Sequence, residues 1–99
     1  MHGCNASVSR SAWAKIGGFD QVFDGRWGYE DTEFAYRLSR AGTVFIAEPR
    51  ALGIHLEDAC QTHARSEEEA INFEIACERI PGFRDFKAAI NANGREPWW

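Results

Sequence analysis

Two adjacent carboxylates, Glu30 and Asp31, follow an aromatic residue and a glycine in the stretch Trp27-Gly-Tyr-Glu-Asp31. If this pair opens a helix, the unpaired backbone N–H groups of the first turn stabilise an ionised carboxylate. An ionised carboxylate beside an apolar surface can accept a proton from a bound hydroxyl, which is the task of a general base. Acidic first turns are also common on helices that bind nothing, so Trp27 and Gly28 are what favour the catalytic interpretation.

The elements that must position this pair are predicted from hydrophobic spacing and from capping residues. Phe34, Leu38 and Ala41 repeat at helical spacing, and Gly42 fits the end of that helix. Helices are predicted over 10–16, 30–41, 66–80 and 83–90. Short strands are predicted over 5–9, 43–47 and 51–56. We therefore expect the α/β class, in which helices pack on a short sheet.

Composition and charge exclude several classes of protein. The chain has 99 residues, of which 44% are hydrophobic and 13% aromatic, too many for a disordered segment. A formal net charge of -4 argues against binding to nucleic acids or anionic membranes through general electrostatics. No run approaches the roughly 18 apolar residues of a spanning helix, and no signal peptide is recognisable. The expectation is a globular, mildly acidic protein.

The cysteines and histidines carry no recognisable metal or disulfide pattern. Three widely spaced cysteines without a CxxC pair favour free thiols in a reducing compartment, and hence a cytoplasmic location. A zinc site is disfavoured because the spacing of the candidate ligands is irregular; these are His2, Cys4, His55, Cys60 and His63. Ser66 and Glu69 match a capping box, and the run Glu67-Glu-Glu69 is interpreted as a solvated helix start rather than a metal site.

Five short motifs then occur in a fixed order, followed by His55: Gly3-Cys-Asn5-Ala-Ser-Val-Ser-Arg10, Ile16-Gly-Gly-Phe-Asp20, Trp27-Gly-Tyr-Glu-Asp31, Tyr36-Arg-Leu38 and Ala41-Gly42. Over residues 3–58 the chain resembles the C-terminal, acceptor-side half of GT-A-fold glycosyltransferases, of the family 2 and galactosyltransferase C-terminal types. The resemblance implies a partial GT-A (nucleotide-diphospho-sugar transferase) fold, a short mixed sheet with about four helices.

The resemblance also implies a role for each matching residue. Asp31 is expected to be the general base that deprotonates the acceptor hydroxyl. Glu30, Trp27 and Gly28 are expected to bind the acceptor sugar. His55 matches a metal-binding histidine, which implies a divalent cofactor, Mn²⁺ or Mg²⁺. The implied reaction is an inverting hexosyl transfer from a nucleotide-sugar donor to a carbohydrate or another hydroxyl acceptor.

One expected motif is missing, because no Asp-x-Asp sequence occurs in the chain. We therefore expect residues 1–58 to form the acceptor-side half of the domain and 59–99 a helical C-terminal extension, with the donor-binding half absent and the isolated chain inactive. Uncovered strand edges would favour a homodimer. A non-catalytic α/β interaction module that retains the family scaffold remains an alternative.

Overall fold

The structure, a computed structural model, describes residues 5–54 and 62–93. Within them lie four α-helices and one 3₁₀ helix: α1 (Arg10–Lys15), the 3₁₀ helix (Gln21–Phe23), α2 (Glu30–Arg40), α3 (Thr62–Arg79) and α4 (Phe83–Ala92). None of these helices is long and apolar enough to cross a membrane. The predicted boundary between residues 58 and 59 falls outside the described ranges and stays a prediction.

The predicted mixed sheet, and with it the α/β class, is wrong. Across 5–54 and 62–93 no residue is in a β-strand, so the predicted strands at 5–9 and 43–47 are absent, as is the described part of 51–56. A strand needs a neighbouring strand to bond its peptide groups. The first and last of these segments are joined by a side-chain hydrogen bond rather than by a backbone ladder, since Asn5 Nδ2 donates to the carbonyl of Ala51 at 2.9 Å. Alternating apolar residues alone could not supply the missing partner.

Helix α2 begins and ends close to where the sequence predicted. Acidic residues occupy its first turn and Arg37 and Arg40 its last, which matches the helix dipole. Phe34 and Leu38 are buried on one face. Phe19 covers this face from outside, because its ring stacks on that of Phe34 with centroids 4.3 Å apart.

A buried ion pair ties α2 to the turn that follows α1. Glu33 is buried, and Arg37 donates to both of its carboxylate oxygens at 2.7 and 2.8 Å. The same guanidinium also donates to the carbonyl of Ile16 at 2.7 Å. At the other end of α1, the Ser9 hydroxyl caps the helix by accepting from the Ala12 N–H. Both ends of this short helix are thus fixed by specific hydrogen bonds.

Helices α3 and α4 pack around the 3₁₀ helix to form the main buried cluster, whose members are Phe23, Ala76, Ile80 and Phe83. Between the two helices Gly82 takes a positive φ of 76°, a conformation that glycine adopts without steric cost. The Arg79 guanidinium lies 3.2 Å from the carboxylate of Asp20, which also caps the 3₁₀ helix. Helix α3 is therefore placed against the segment that leads into α2.

Candidate functional site

The segment Trp27–Asp31 connects the 3₁₀ helix to the first turn of α2. Its backbone turns sharply, with a positive φ at two successive residues, 99° at Gly28 and 68° at Tyr29. Tyr29 is the N-cap of α2 and makes no side-chain capping hydrogen bond. A positive φ is unfavourable for a residue with a Cβ, so contacts from elsewhere must stabilise this turn.

The two predicted site carboxylates lie side by side at the start of α2, as the sequence predicted. Asp31 is partly buried and accepts a hydrogen bond from the Thr32 hydroxyl at 3.3 Å. Glu30 is also partly buried, and its Oε2 atom is shielded from solvent without a hydrogen-bond partner in the described structure. A shielded carboxylate oxygen without a donor carries a desolvation cost, which would be relieved if the side chain moved to bond water or a ligand.

Trp27 presents its side chain outward while its backbone is fixed. The side chain is 49% exposed, which leaves much of the indole accessible. The Trp27 N–H donates to the carboxylate of Glu68, on α3, at 3.0 Å. An indole face is well suited to packing on the apolar face of a sugar ring.

Asn72, also on α3, bonds the carbonyls of the two residues that flank Trp27. Its side-chain amide is fully buried, at 0% exposure. The Nδ2 atom donates to the carbonyls of Gly28 at 2.9 Å and Arg26 at 3.3 Å, and Oδ1 accepts from Arg26 Nε at 3.0 Å. Both amide donors are therefore used on the turn that precedes the carboxylates.

Tyr29 is held on the same surface of α3. Its hydroxyl donates to the carboxylate of Glu69 at 3.3 Å, and its ring packs at 5.6 and 5.8 Å from the rings of Phe73 and Phe83. Burial of the phenol, together with the nearby Glu69 charge, raises the pKa of Tyr29 to about 12. The ammonium of Lys87 lies 5.5 Å from the centre of the same ring.

The predicted metal ligand, His55, lies outside the described residues. Among the described residues no group of three or more His, Cys, Asp or Glu side chains is arranged to hold a metal ion. Cys77 is a free thiol, as predicted, whereas His2, Cys4 and Cys60 of the disfavoured zinc set are not described. The residues that are described do not by themselves fit a metal, and no chemical step is assigned to one.

Four of the five predicted site residues are thus brought together: Trp27, Gly28, Glu30 and Asp31. The supporting residues on α3 were not predicted. Glu68 and Glu69 were interpreted as part of a solvated helix start, but both are partly buried and bond to the Trp27–Tyr29 segment. Asn72 carried one signal: it precedes Ala76 and Ile80 at steps of four, so it shares the buried face of α3.

Comparison with known proteins supports a glycosyltransferase domain, whereas the predicted C-terminal position within such a domain stays a prediction. Residues 1–58 match the family described as the N-terminal domain of galactosyltransferase. The chain is 32% identical over 79 residues, 78% of its length, to a chondroitin synthase of Pasteurella multocida (strain Pm70). It is 29% identical over 92 residues to a chondroitin synthase of Escherichia coli, and 32% identical over 79 residues to a hyaluronan synthase of Pasteurella multocida.

These matches cover 91% of this chain for the Escherichia coli relative and 78% for the second Pasteurella multocida relative. The chain spans only 8%, 13% and 8% of the lengths of the three relatives, in the order given. No solved structure matches the chain significantly.

Proposed function

The chain belongs to the galactosyltransferase family of glycosyltransferases, and we propose that it forms the acceptor-side catalytic segment of such an enzyme. The enzyme transfers a hexose from a nucleotide-sugar donor to a hydroxyl of a carbohydrate acceptor. The observation that carries the proposal is the placement of Glu30 and Asp31 at successive positions in the first turn of α2, which begins three positions after the half-exposed Trp27.

Asp31 acts as the general base. The acceptor hydroxyl gives its proton to the Asp31 carboxylate while its oxygen forms a bond to the anomeric carbon of the donor sugar. The bond from that carbon to the diphosphate breaks with its electron pair, and direct displacement of this kind inverts the anomeric centre.

Glu30, Trp27 and Gly28 hold the acceptor. The carboxylate of Glu30, at the first position of α2, accepts a hydrogen bond from a sugar hydroxyl. The exposed indole of Trp27 covers the apolar face of the ring. Gly28 contributes through its backbone, since its positive φ of 99° sets the turn between Trp27 and the carboxylates.

The donor site and the metal are further parts of the proposal. The described residues contain no cluster that fits a metal ion, so a divalent cation would need His55 together with residues of the larger enzyme. Bound there, Mn²⁺ or Mg²⁺ would neutralise charge on the departing diphosphate. The expected test result is that His55→Ala weakens the metal dependence of transfer, and an unchanged metal titration would reject this role.

Substitution of Asp31 by Asn tests the proposed function directly in a complete enzyme that carries this segment. Asn has nearly the same shape but cannot accept the proton, so we expect the transfer rate to fall about 10²–10⁴-fold with the fold retained by circular dichroism. The control is Glu67→Gln, which removes an exposed carboxylate on a different helix, α3, and should leave transfer unchanged. Full activity in Asp31→Asn would contradict catalysis by this segment and favour the non-catalytic interaction module.

An exposed apolar segment also supports the proposed homodimer of the isolated chain. Between Thr43 and Ile54 the side chains of Val44, Ile46, Leu52 and Ile54 are 80–90% exposed. An extended backbone with exposed apolar side chains is suited to pair with a second copy of itself. Light scattering over a range of concentrations should show a dimer, and a monomer throughout would reject it. The cytoplasmic location stays a prediction.

A further inference from the structure

We infer that Asn72 is a positioning residue for sugar transfer, which acts by fixing the carbonyls of the two residues that flank Trp27 relative to the carboxylates of α2. The inference depends on the proposed function, since it assigns to Asn72 the geometry that transfer requires. Asn72 lies 41 positions after Asp31 in the sequence. Helix α3 therefore belongs to the site, because one of its side chains positions the turn that carries Trp27.

The side chain of Asn72 matches the hydrogen-bonding groups of the turn atom by atom. A side-chain amide offers two N–H donors and one carbonyl acceptor. The donors bond the carbonyls of Arg26 and Gly28, and the acceptor bonds Arg26 Nε. Aspartate has the same size but no donor, and leucine has neither donor nor acceptor. No other side chain of this size can make the same three bonds.

The turn requires hydrogen bonds from other parts of the chain to keep its conformation. Gly28 and Tyr29 both have positive φ, and the N-cap of α2 makes no side-chain hydrogen bond of its own. Such a conformation persists only where the surroundings determine it. Five hydrogen bonds join residues 26–29 to three side chains of α3, those of Glu68, Glu69 and Asn72. These positions share one face of the helix.

Helix α3 makes different contacts along its length: hydrogen bonds to the turn in its first part and apolar packing in its last part. The hydrogen bonds from α3 to the turn end at Asn72, whereas Ala76 and Ile80, farther along the helix, belong to the main buried cluster. The turn meets that cluster through ring packing of Tyr29. Removing a bond at Asn72 therefore disturbs the turn, and removing volume at Ile80 disturbs the core. This separation allows positioning to be distinguished from stability.

The experiment compares Asn72→Asp with Ile80→Ala in the complete enzyme. Asn72→Asp keeps the size and the acceptor but loses both donors, so we expect kcat to fall on the order of tenfold or more. The acceptor KM should rise as well, because Trp27 and Gly28 also bind the acceptor. Ile80→Ala, which lowers stability through the core, should change kcat less than about twofold below its unfolding temperature. An unchanged kcat in Asn72→Asp, or an equal fall in Ile80→Ala, overturns the inference.

A second pair of variants keeps the test decisive if Asn72→Asp does not fold. Glu68→Ala removes the acceptor of the Trp27 N–H, whereas Glu68→Gln retains an oxygen that can accept it. We expect kcat to fall in Glu68→Ala and to recover in Glu68→Gln. Equal activities in these two variants contradict a positioning role for the contacts from α3.

The final readout does not depend on activity and uses the 99-residue chain itself. Hydrogen exchange at the Trp27 backbone amide should accelerate in Asn72→Asp more than exchange at the amide of Leu38, within α2. Uniform acceleration at both amides would indicate a general loss of stability and reject the inference. If Asp31→Asn retains full transfer activity, the proposed function fails, while selective exchange at Trp27 would still identify Asn72 as the residue that holds the turn.

Discussion

The turn at 26–29 and the segment at 43–54 are both irregular backbone, but their surroundings differ. Buried and partly buried side chains of α3 bond the turn on several sides. In the segment at 43–54, Val44, Ile46, Leu52 and Ile54 face solvent almost completely. A local ion pair between Glu48 and Arg50 at 2.8 Å is exposed on the surface and lowers the pKa of the Glu48 carboxyl.

The difference shows what each region needs in order to be ordered. Helix α2 bonds its own peptide groups, so its amphipathic pattern suffices once α3 covers the turn in front of it. A strand makes its backbone hydrogen bonds with another strand, so the apolar alternation at 43–54 can form a strand only beside a partner strand. We therefore expect substitutions in the turn and in α2 to lower the free energy of unfolding strongly. Matching substitutions in the exposed segment should change it little.

The largest expected contrast is between two leucines given the same substitution. Leu38 is 2% exposed and Leu52 is 90% exposed. Leu38→Ala removes buried methyl groups and leaves a cavity, so the free energy of unfolding should fall by about 2–5 kcal/mol. Leu52→Ala should change it by less than about 0.5 kcal/mol. Denaturant unfolding of the two variants measures both values.

Varying the protein concentration shows whether Leu52 packs against a second chain. If the segment at 43–54 pairs with a second chain, the cost of Leu52→Ala should rise with protein concentration, whereas that of Leu38→Ala should not. A large cost for Leu52→Ala at low concentration would contradict the contrast, because it would mean that the segment packs within one chain.

A smaller difference in the free energy of unfolding is expected when two glycines are each replaced by alanine. Gly28 has a φ of 99°, whereas Gly53 has no positive φ and a Cβ there would meet Asn5 at an ordinary contact distance of 3.4 Å. Gly28→Ala should therefore lower the free energy of unfolding by about 1–3 kcal/mol through backbone strain. Gly53→Ala should be neutral or stabilising by about 0.4–1 kcal/mol, because it restricts the unfolded chain. Equal effects, measured by thermal unfolding, would show that the turn is not strained.

The smallest effect is expected at Tyr29 under alkaline conditions. Its pKa is about 12 in the folded protein against 10.0 for an ordinary tyrosine, so the folded form binds the proton more tightly. This contribution to stability is complete below pH 10 and is lost as the pH rises towards 12. Tyr29→Phe should therefore flatten the alkaline fall in stability, whereas the control Tyr36→Phe should retain it. Unfolding curves measured across this pH range provide the test.

The helices could be predicted from sequence because their causes are local. The pattern around Phe34 and Leu38 predicted a helix at 30–41, and α2 spans Glu30–Arg40. The prediction of 83–90 for the last helix was confirmed in the same way by α4 at Phe83–Ala92. Helix α3 begins at Thr62, one turn before the predicted capping box at Ser66, so a cap-like pair of residues was mistaken for its start.

The sheet and half of the site could not be predicted, because their causes lie far away in the sequence. The apolar alternation at 43–47 suggested a strand, but a strand forms only if another segment pairs with it. The carboxylates of Glu30 and Asp31 followed from the motif itself. Their support from Asn72 did not, because a polar residue on a helix gives no indication of which distant carbonyls it will bond.

The hydrogen bonds between Asn72 and Arg26 join residues 46 positions apart, and this separation imposes an order on synthesis. At typical elongation rates of about 5–20 residues per second, the Trp27–Asp31 segment leaves the ribosomal active centre several seconds before α3 is made. Until then the glycine-rich turn has nothing to bond. The sugar-binding end of the site should therefore be among the last parts of the nascent chain to become ordered, and termination before Asn72 should yield α2 without a usable acceptor site.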